Sequence, residues 1–227
     1  MATTTVLERE MFSEAEAARL LQVPQSTLHY WLEGGVRGER TYRPVIRPER
    51  RGGHPAVTWA EFIEAGLLRE YRRTHGVPMA ELRAFIDHLR EHYDVPYPLA
   101  HKQPFVGGRH LLLEAQEAAG LDAESCLVAW ASGQLILTPL SEAFVQRVTW
   151  AADIAAGWRP HDDPKSPVRM DPEVRFGKPT IRGVSTEALW EHVEAGDDDI
   201  AALAEDFNLS ITDVRWALAY ENSVRAA

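Results

Sequence analysis

FSEAEAARLLQVPQSTLHYWLEGG, residues 12–35, is the stretch on which the fold turns. Ser13 with Glu16 three residues later is a capping-box pair: the hydroxyl accepts from the third backbone N–H while the carboxylate reaches back. A helix is therefore expected from Glu14, with Ala17, Ala18, Leu20 and Leu21 as its apolar stripe. Val23-Pro24 breaks it, because proline has no N–H to donate and its ring clashes with the preceding turn. Helical periodicity resumes over Gln25 to Leu32, with Leu28, Trp31 and Leu32 on one face. Two short helices across a turn of about three to four residues form the unit that reads the DNA major groove. This one leaves Gln25, Ser26, Thr27, His29 and Tyr30 off the apolar stripe, side chains able to reach phosphates or base edges. Such pairs also serve as plain packing units in all-α proteins, so the flanking sequence has to decide.

Immediately downstream, between Val36 and Gly53, stand six arginines (Arg37, Arg40, Arg43, Arg47, Arg50 and Arg51) against two acids, Glu39 and Glu49. Pro44, Pro48 and Gly52-Gly53 interrupt this insertion, so it reads as a wing, a hairpin laid along the DNA backbone. Thr58 with Glu61 is a second capping box, opening a helix through Phe62, Ile63, Leu67, Leu68 and Tyr71. Pro78 at the first turn of a fourth helix costs nothing, and Leu82, Phe85, Ile86 and Leu89 face inward from it.

Beyond this lies a middle stretch with strand signals. Leu111-Leu112-Leu113 and Cys126 to Trp130 are short apolar runs, and Ser132-Gly133 turns into Gln134 to Leu137, where Pro139 stops the strand. Phe144 to Trp150 fits a strand or a short helix equally well. His161 to Pro167 has the composition of a linker. Three helices are expected after a turn-rich entry, over about 186–195, 198–207 and 211–220, with Gly196 and Asn208 as stops and Ser210 with Asp213 as a cap. The expected fold is α+β, mainly α. Residues 1–100 form a winged helix-turn-helix, 101–165 a β-containing connector or dimerisation segment, and 166–227 a small three-helix module.

The net charge of −10 over 227 residues would argue against nucleic acid, but it is unevenly spread. The arginines cluster early, whereas Asp162, Asp163 and the run Asp197, Asp198 and Asp199 come late, so the second helix pair would repel phosphate. A single cysteine, Cys126, excludes an internal disulfide framework and reads as a small buried residue. The first ten residues lack the apolar core and basic leader of a signal peptide. No apolar run approaches the ~20 residues of a membrane span. A cytoplasmic, membrane-free protein is expected.

The segments Phe12 to Leu21 and Pro24 to Trp31 resemble the N-terminal half of MerR-type winged-helix regulators over roughly the first eighty residues. Those regulators end in a long coiled-coil helix. Here the fourth helix gives way to Pro96 and Pro98, so effector sensing does not carry over. The core Gly-Lys-Pro-Thr-Ile-Arg-Gly, residues 177–183, and the helices after it are similar to the domain of unknown function 433. Family members often have Thr-Arg after that last glycine. Val184-Ser185 stands here, so that arginine's role does not transfer. The combination resembles antitoxins of the VapB class. The resemblance implies operator DNA and a PIN-domain ribonuclease toxin as partners, with repression by a homodimer. It also implies that Arg175, Lys178 and Arg182 are candidates to pair with the toxin's metal-binding carboxylates.

Nothing points to catalysis or a cofactor. His88 and His92 stand at i and i+4 on one expected helix, but no third metal ligand accompanies them in sequence. Ser132-Gly133 lacks the framing of a nucleophile elbow, and Asp162-Asp163 sits in polar sequence that cannot shift a carboxylate pKa. Two other readings stay open: a stand-alone winged-helix regulator with a C-terminal dimerisation module, and an interaction adaptor with a vestigial helix-turn-helix.

Overall fold

A three-residue strand, β1 (Glu10–Phe12), leads into Ser13, whose hydroxyl accepts from the Glu16 N–H at 3.2 Å and starts helix α1 (Glu14–Leu20). The computed structural model describes residues 6–72, 77–106, 108–131, 134–161, 163–196 and 199–226. The chain turns at Gln22, in the left-handed region at φ 53°, and enters α2 (Gln25–Glu33). Ala17, Ala18, Leu20 and Leu21 bury against Leu28, Trp31 and Leu32, as the spacing demands. Gly34 closes α2 at φ 68°; a Cβ there would stand 2.2 Å from the Tyr42 carbonyl oxygen. A hairpin follows, β2 (Gly35–Arg37) antiparallel to β3 (Arg40–Tyr42), with Gly35 opposite Tyr42 and Arg37 opposite Arg40.

The hairpin is shorter than the arginine-rich insertion. Past Tyr42 the chain returns inward: the Val45 and Ile46 N–H groups donate to the Trp31 carbonyl at 2.9 and 3.0 Å, and both side chains are buried. Strand β4 (Val57–Thr58) then pairs with β1. Thr58 and Glu61 make the complete reciprocal capping box, which opens α3 (Trp59–Glu70). Helix α4 (Met79–Tyr93) follows Pro78 and ends at Asp94 in the left-handed conformation.

Where the sequence suggested strands, the middle stretch is half helical. A short α5 (Gln103–Val106) precedes α6 (Arg109–Ala119), so the run Leu111 to Leu113 lies on a helix packed against α4, with Leu112 inward. The strand reading failed because three adjacent apolar residues carry no period of their own. Strands β5 (Val128–Ala131) and β6 (Gln134–Leu137) form the expected hairpin; its turn, Ser132-Gly133, lies outside the described residues. Buried Gln116 clamps α6 to β5, donating to the Val128 carbonyl at 2.8 Å and accepting from the Leu127 and Val128 N–H groups. Phe144 to Trp150 divides between both alternatives: α7 (Pro139–Arg147) runs directly into β7 (Val148–Ala151). Cys126 is half-buried rather than enclosed, and burial together with Asp122 and Glu117 pushes its thiol pKa up.

After β8 (Ile154–Trp158) the chain belongs to a second compact unit: contacts divide it into 1–155 and 156–227. The middle stretch thus groups with the N-terminal helices, where sequence composition had set it apart as 101–165. Residues 161–167, linker-like in composition, are built into the second unit: Ser166 is fully buried and the His161 ring meets Trp216 edge-on at 5.2 Å. Asp162 lies outside the described residues. Arg169 and Thr180 exchange backbone hydrogen bonds, leading to the pair β9 (Thr180–Ile181) and β10 (Val184–Ser185). Helices α8 (Thr186–Ala195), α9 (Ile200–Asp206) and α10 (Ile211–Arg225) then enclose Val168, Ile181, Leu189, Leu203, Val214, Tyr220 and Val224. Gly196 and Asn208 end their helices with positive φ, and Ser210 with Asp213 caps the last. Asp199 caps α9, while Asp197 and Asp198 lie outside the described residues. The architecture is α+β, mainly α.

Candidate functional site

The N-terminal surface begins at the first turn of α2, where Gln25 and Ser26 are exposed and Thr27 is half-buried. Tyr30 is half-buried one turn further on, and its ring meets Tyr42 edge-on at 6.4 Å, tying the helix to the hairpin. His29 points elsewhere: its Nδ1 lies 3.0 Å from the Glu14 carboxylate, beside His54. On the hairpin Arg40 is exposed; Arg37 is described in its backbone alone. Arg43 is 78% exposed and pairs with Asp87 at 3.1 Å, a solvated contact of small energetic weight.

The remaining arginines do other work. Arg47 is 1% exposed, and its guanidinium reaches Glu33 at the end of α2 and Glu61 at the start of α3, the latter through Nε at 2.9 Å and Nη2 at 3.0 Å. Burial would lower the Arg47 pKa, but Glu61 and Glu33 outweigh it and raise it. Burial likewise pushes Glu33 up, and donation from the Gly52 N–H, Arg47 and the Arg51 N–H brings it below the usual carboxylate range. Arg50 donates to the Glu33 carbonyl, while Arg51 stands 3.1 Å from Glu61 and 3.4 Å from the Tyr97 hydroxyl. A phosphate-contacting Arg47 is therefore corrected: two carboxylates hold it inside, and Arg50 and Arg51 brace the same junction. Composition alone could not separate these three from Arg40 and Arg43.

In the second unit the three cations expected to meet a partner come from the same turn-rich stretch, 175–182, as a protruding aromatic. Phe176 is 82% exposed, held at φ 56° between Arg175, itself at φ 50°, and Gly177. Arg175 Nε donates to the Gly183 carbonyl at 3.4 Å, across its own turn. Lys178 stands 3.5 Å from Glu187, and Arg182 stands 3.7 Å from Asp213. The Lys178 pair is solvated on both sides, whereas Arg182 is 70% exposed and its partner Asp213, in the cap of α10, is buried. In sequence the cations stand out by charge, whereas Phe176 carries only the fainter signal of an aromatic beside a turn glycine.

Side chains able to hold a metal also come together. Glu114 joins His88 and His92 from α6, the third ligand that local sequence did not offer, although His92 Nδ1 is occupied at 2.8 Å by the His88 carbonyl. Glu14, His29 and His54 form a second group. Among the described residues, no helix is long and apolar enough to cross a membrane.

Residues 168–220 match the family described as a protein of unknown function, DUF433. Along its whole length the chain is 32% identical to the uncharacterized protein Rv2308 of Mycobacterium tuberculosis, covering 96% of that protein. It is 28% identical to a protein of the same organism named "Putative antitoxin VapB45", over 92% of each chain. Its fold is that of the crystal structure of Rv2018 from Mycobacterium tuberculosis, with a TM-score of 0.75, 26% identity, and coverage of 93% of this chain and 99% of that one.

Proposed function

We propose that this chain, which belongs to the family of the uncharacterized protein Rv2308, is an antitoxin that binds DNA through its first helix pair and hairpin and docks a toxin through its C-terminal unit. One observation carries the reading. The likeness to an antitoxin-named protein runs over 92% of both chains, so it extends far beyond the DUF433 region. The protein then acts by binding and not by catalysis.

On the DNA side, α2 presents Gln25, Ser26 and Tyr30 to a groove, and Arg40 and Arg43 give the hairpin and its exit a positive edge for phosphate. A homodimer would place two such surfaces on a two-fold operator. On the toxin side, Phe176 supplies an exposed apolar anchor on the stretch that also carries Arg175, Lys178 and Arg182. A PIN-domain ribonuclease fits that chemistry, because its active-site carboxylates would draw the cations. Lys178 would exchange Glu187 for an acid of the toxin at little cost, since exposed pairs are worth about 0–1 kcal/mol, and Arg182 would leave Asp213 held by Ser210, whose backbone N–H and hydroxyl donate to it.

The test is to co-express the full chain with a PIN-domain ribonuclease from the same genome, then measure co-purification, RNA cleavage and retention of upstream DNA in a gel. Near-equal recovery, silenced cleavage and a shifted band are expected. Phe176→Ala should weaken toxin binding by about 30-fold, in the range of interface hot spots, and leave the DNA shift intact. Recovery of the chain alone with cleavage unabated, but with DNA still shifted, would make it a stand-alone regulator.

A further inference from the structure

Glu14 opens α1 with its carboxylate 1% exposed. A buried carboxylate needs a cation or a full set of donors, because losing water is expensive for a charge. Among the described residues no guanidinium or ammonium group pairs with it; its partners are two imidazoles. His29, from α2, places Nδ1 3.1 Å from Oε1 and 3.0 Å from Oε2. His54, from the segment before β4, places Nδ1 2.7 Å from the same Oε2. The two rings lie 4.8 Å apart at 42°. Two segments, 15 and 40 residues on from Glu14, thus aim one nitrogen each at one buried oxygen.

We infer that Glu14, His29 and His54 are a binding site for a divalent transition metal of the zinc class. Two imidazoles and one carboxylate form a ligand set that zinc takes up, with a fourth position left to solvent. Ligands on a tetrahedral zinc stand roughly 3.3 Å from one another, given bond lengths near 2.0–2.1 Å. The carboxylate–imidazole separations of 2.7–3.0 Å need open by only a few tenths of an ångström for the ion to replace the hydrogen bonds. The access route exists: His54 is 68% exposed and His29 36%, while the anionic ligand is enclosed. Oxygen-preferring cations fit poorly, since calcium and magnesium want six or more oxygens. The ion would staple α1, α2 and the segment after the hairpin. The other candidate group, His88, His92 and Glu114, spends one ring nitrogen on a helix carbonyl and has no comparably enclosed carboxylate.

The experiment titrates the metal-free full chain with zinc chloride by calorimetry and with cobalt chloride by visible absorption, and reads thermal unfolding with and without zinc. One equivalent of zinc, a cobalt band of a four- or five-coordinate site and a higher Tm with zinc are expected. His54→Ala, at an exposed position that leaves the fold intact by circular dichroism, should weaken zinc binding at least about tenfold and abolish the Tm increment. Glu14→Gln should do the same. His92→Ala, in the other group, should leave all three readouts unchanged. Failure to bind, or binding that survives His54→Ala and is lost in His92→Ala, would overturn the assignment. No readout involves DNA or toxin, so its outcome is independent of the function proposed above.

Discussion

The chain contains the same local device twice. Between α1 and α2, and again between α9 and α10, four residues intervene. In each turn the second residue is left-handed, Gln22 at φ 53° and Asn208 at φ 52°. The backbone bonds also coincide: Gln22 and Val23 donate to Arg19 and Ala18, as Asn208 and Leu209 donate to Glu205 and Ala204. This is the Schellman closure, which satisfies the last carbonyls of a helix. What differs is everything outside the turn. The first pair presents Gln25 and Ser26 and runs into a hairpin bearing Arg37 and Arg40. The second exposes Glu205 and Asp206 and continues as a long helix to Arg225. A helix-turn-helix is thus a solution to a backbone problem, and the side chains around it decide whether phosphate is welcome.

The comparison breaks most severely at Arg47. Removing one member of a buried charge cluster strands the others, which typically costs 3–5 kcal/mol. Arg47→Ala should therefore lower the denaturant midpoint sharply, with DNA binding lost through unfolding and not through a missing contact. Unchanged stability would return Arg47 to the surface and enlarge the wing.

Next in size is a pH effect confined to the first unit. Glu64 on α3 is fully buried, and burial, only partly offset by Arg90 and the Leu99 N–H, raises its pKa from 4.5 to about 7. Below pH 4.5 it is protonated in both states. Between about 4.5 and 7 the unfolded chain ionises and the folded chain does not, so stability falls as pH rises, by up to about 3 kcal/mol, and is flat above. Glu64→Gln should remove that slope; equal slopes in both proteins would mean the carboxylate is already ionised when folded.

Smaller still, and specific to the proposed DNA face, is the paired change Arg40→Ala and Arg43→Ala. Each lost phosphate contact should reduce the slope of log affinity against log salt by about 0.9. Arg215→Ala, an exposed cation of the second pair, should leave the slope as it was. The smallest effect probes the turns themselves. Asn208→Gly should stabilise by no more than about 1 kcal/mol, since glycine takes the left-handed conformation freely. At Gln22 the same change also removes a 3.1 Å hydrogen bond from Arg69, so it should gain nothing.

Local chemistry was legible in the sequence, long-range pairing was not. Ser13, Thr58 with Glu61, and Ser210 with Asp213 begin helices where the caps require, and the stripes of α1, α2 and α4 bury as their spacing says. Leu111 to Leu113 misled because a three-residue run has no measurable period. Arg47 and Arg50 look alike in sequence, and only the carboxylates of Glu33 and Glu61, each 14 residues away from Arg47, draw one of them inside. Glu14 and His54 escaped notice for the same reason: 40 residues separate them.

The inward return of the chain after the hairpin also bears on how the molecule is cut. Residues 43–56, with prolines, glycines and four arginines, have the look of a linker that trypsin would open first. Val45, Ile46 and Arg47 are buried instead, and proteases nick exposed loop tips in preference to packed chain. The first nick after an arginine should fall ahead of this region, at Arg40 on the exposed hairpin, releasing a fragment whose amino terminus is Thr41. A degradation machine starting from the same tip would dismantle the hairpin before it reached the arginine–glutamate junction beneath.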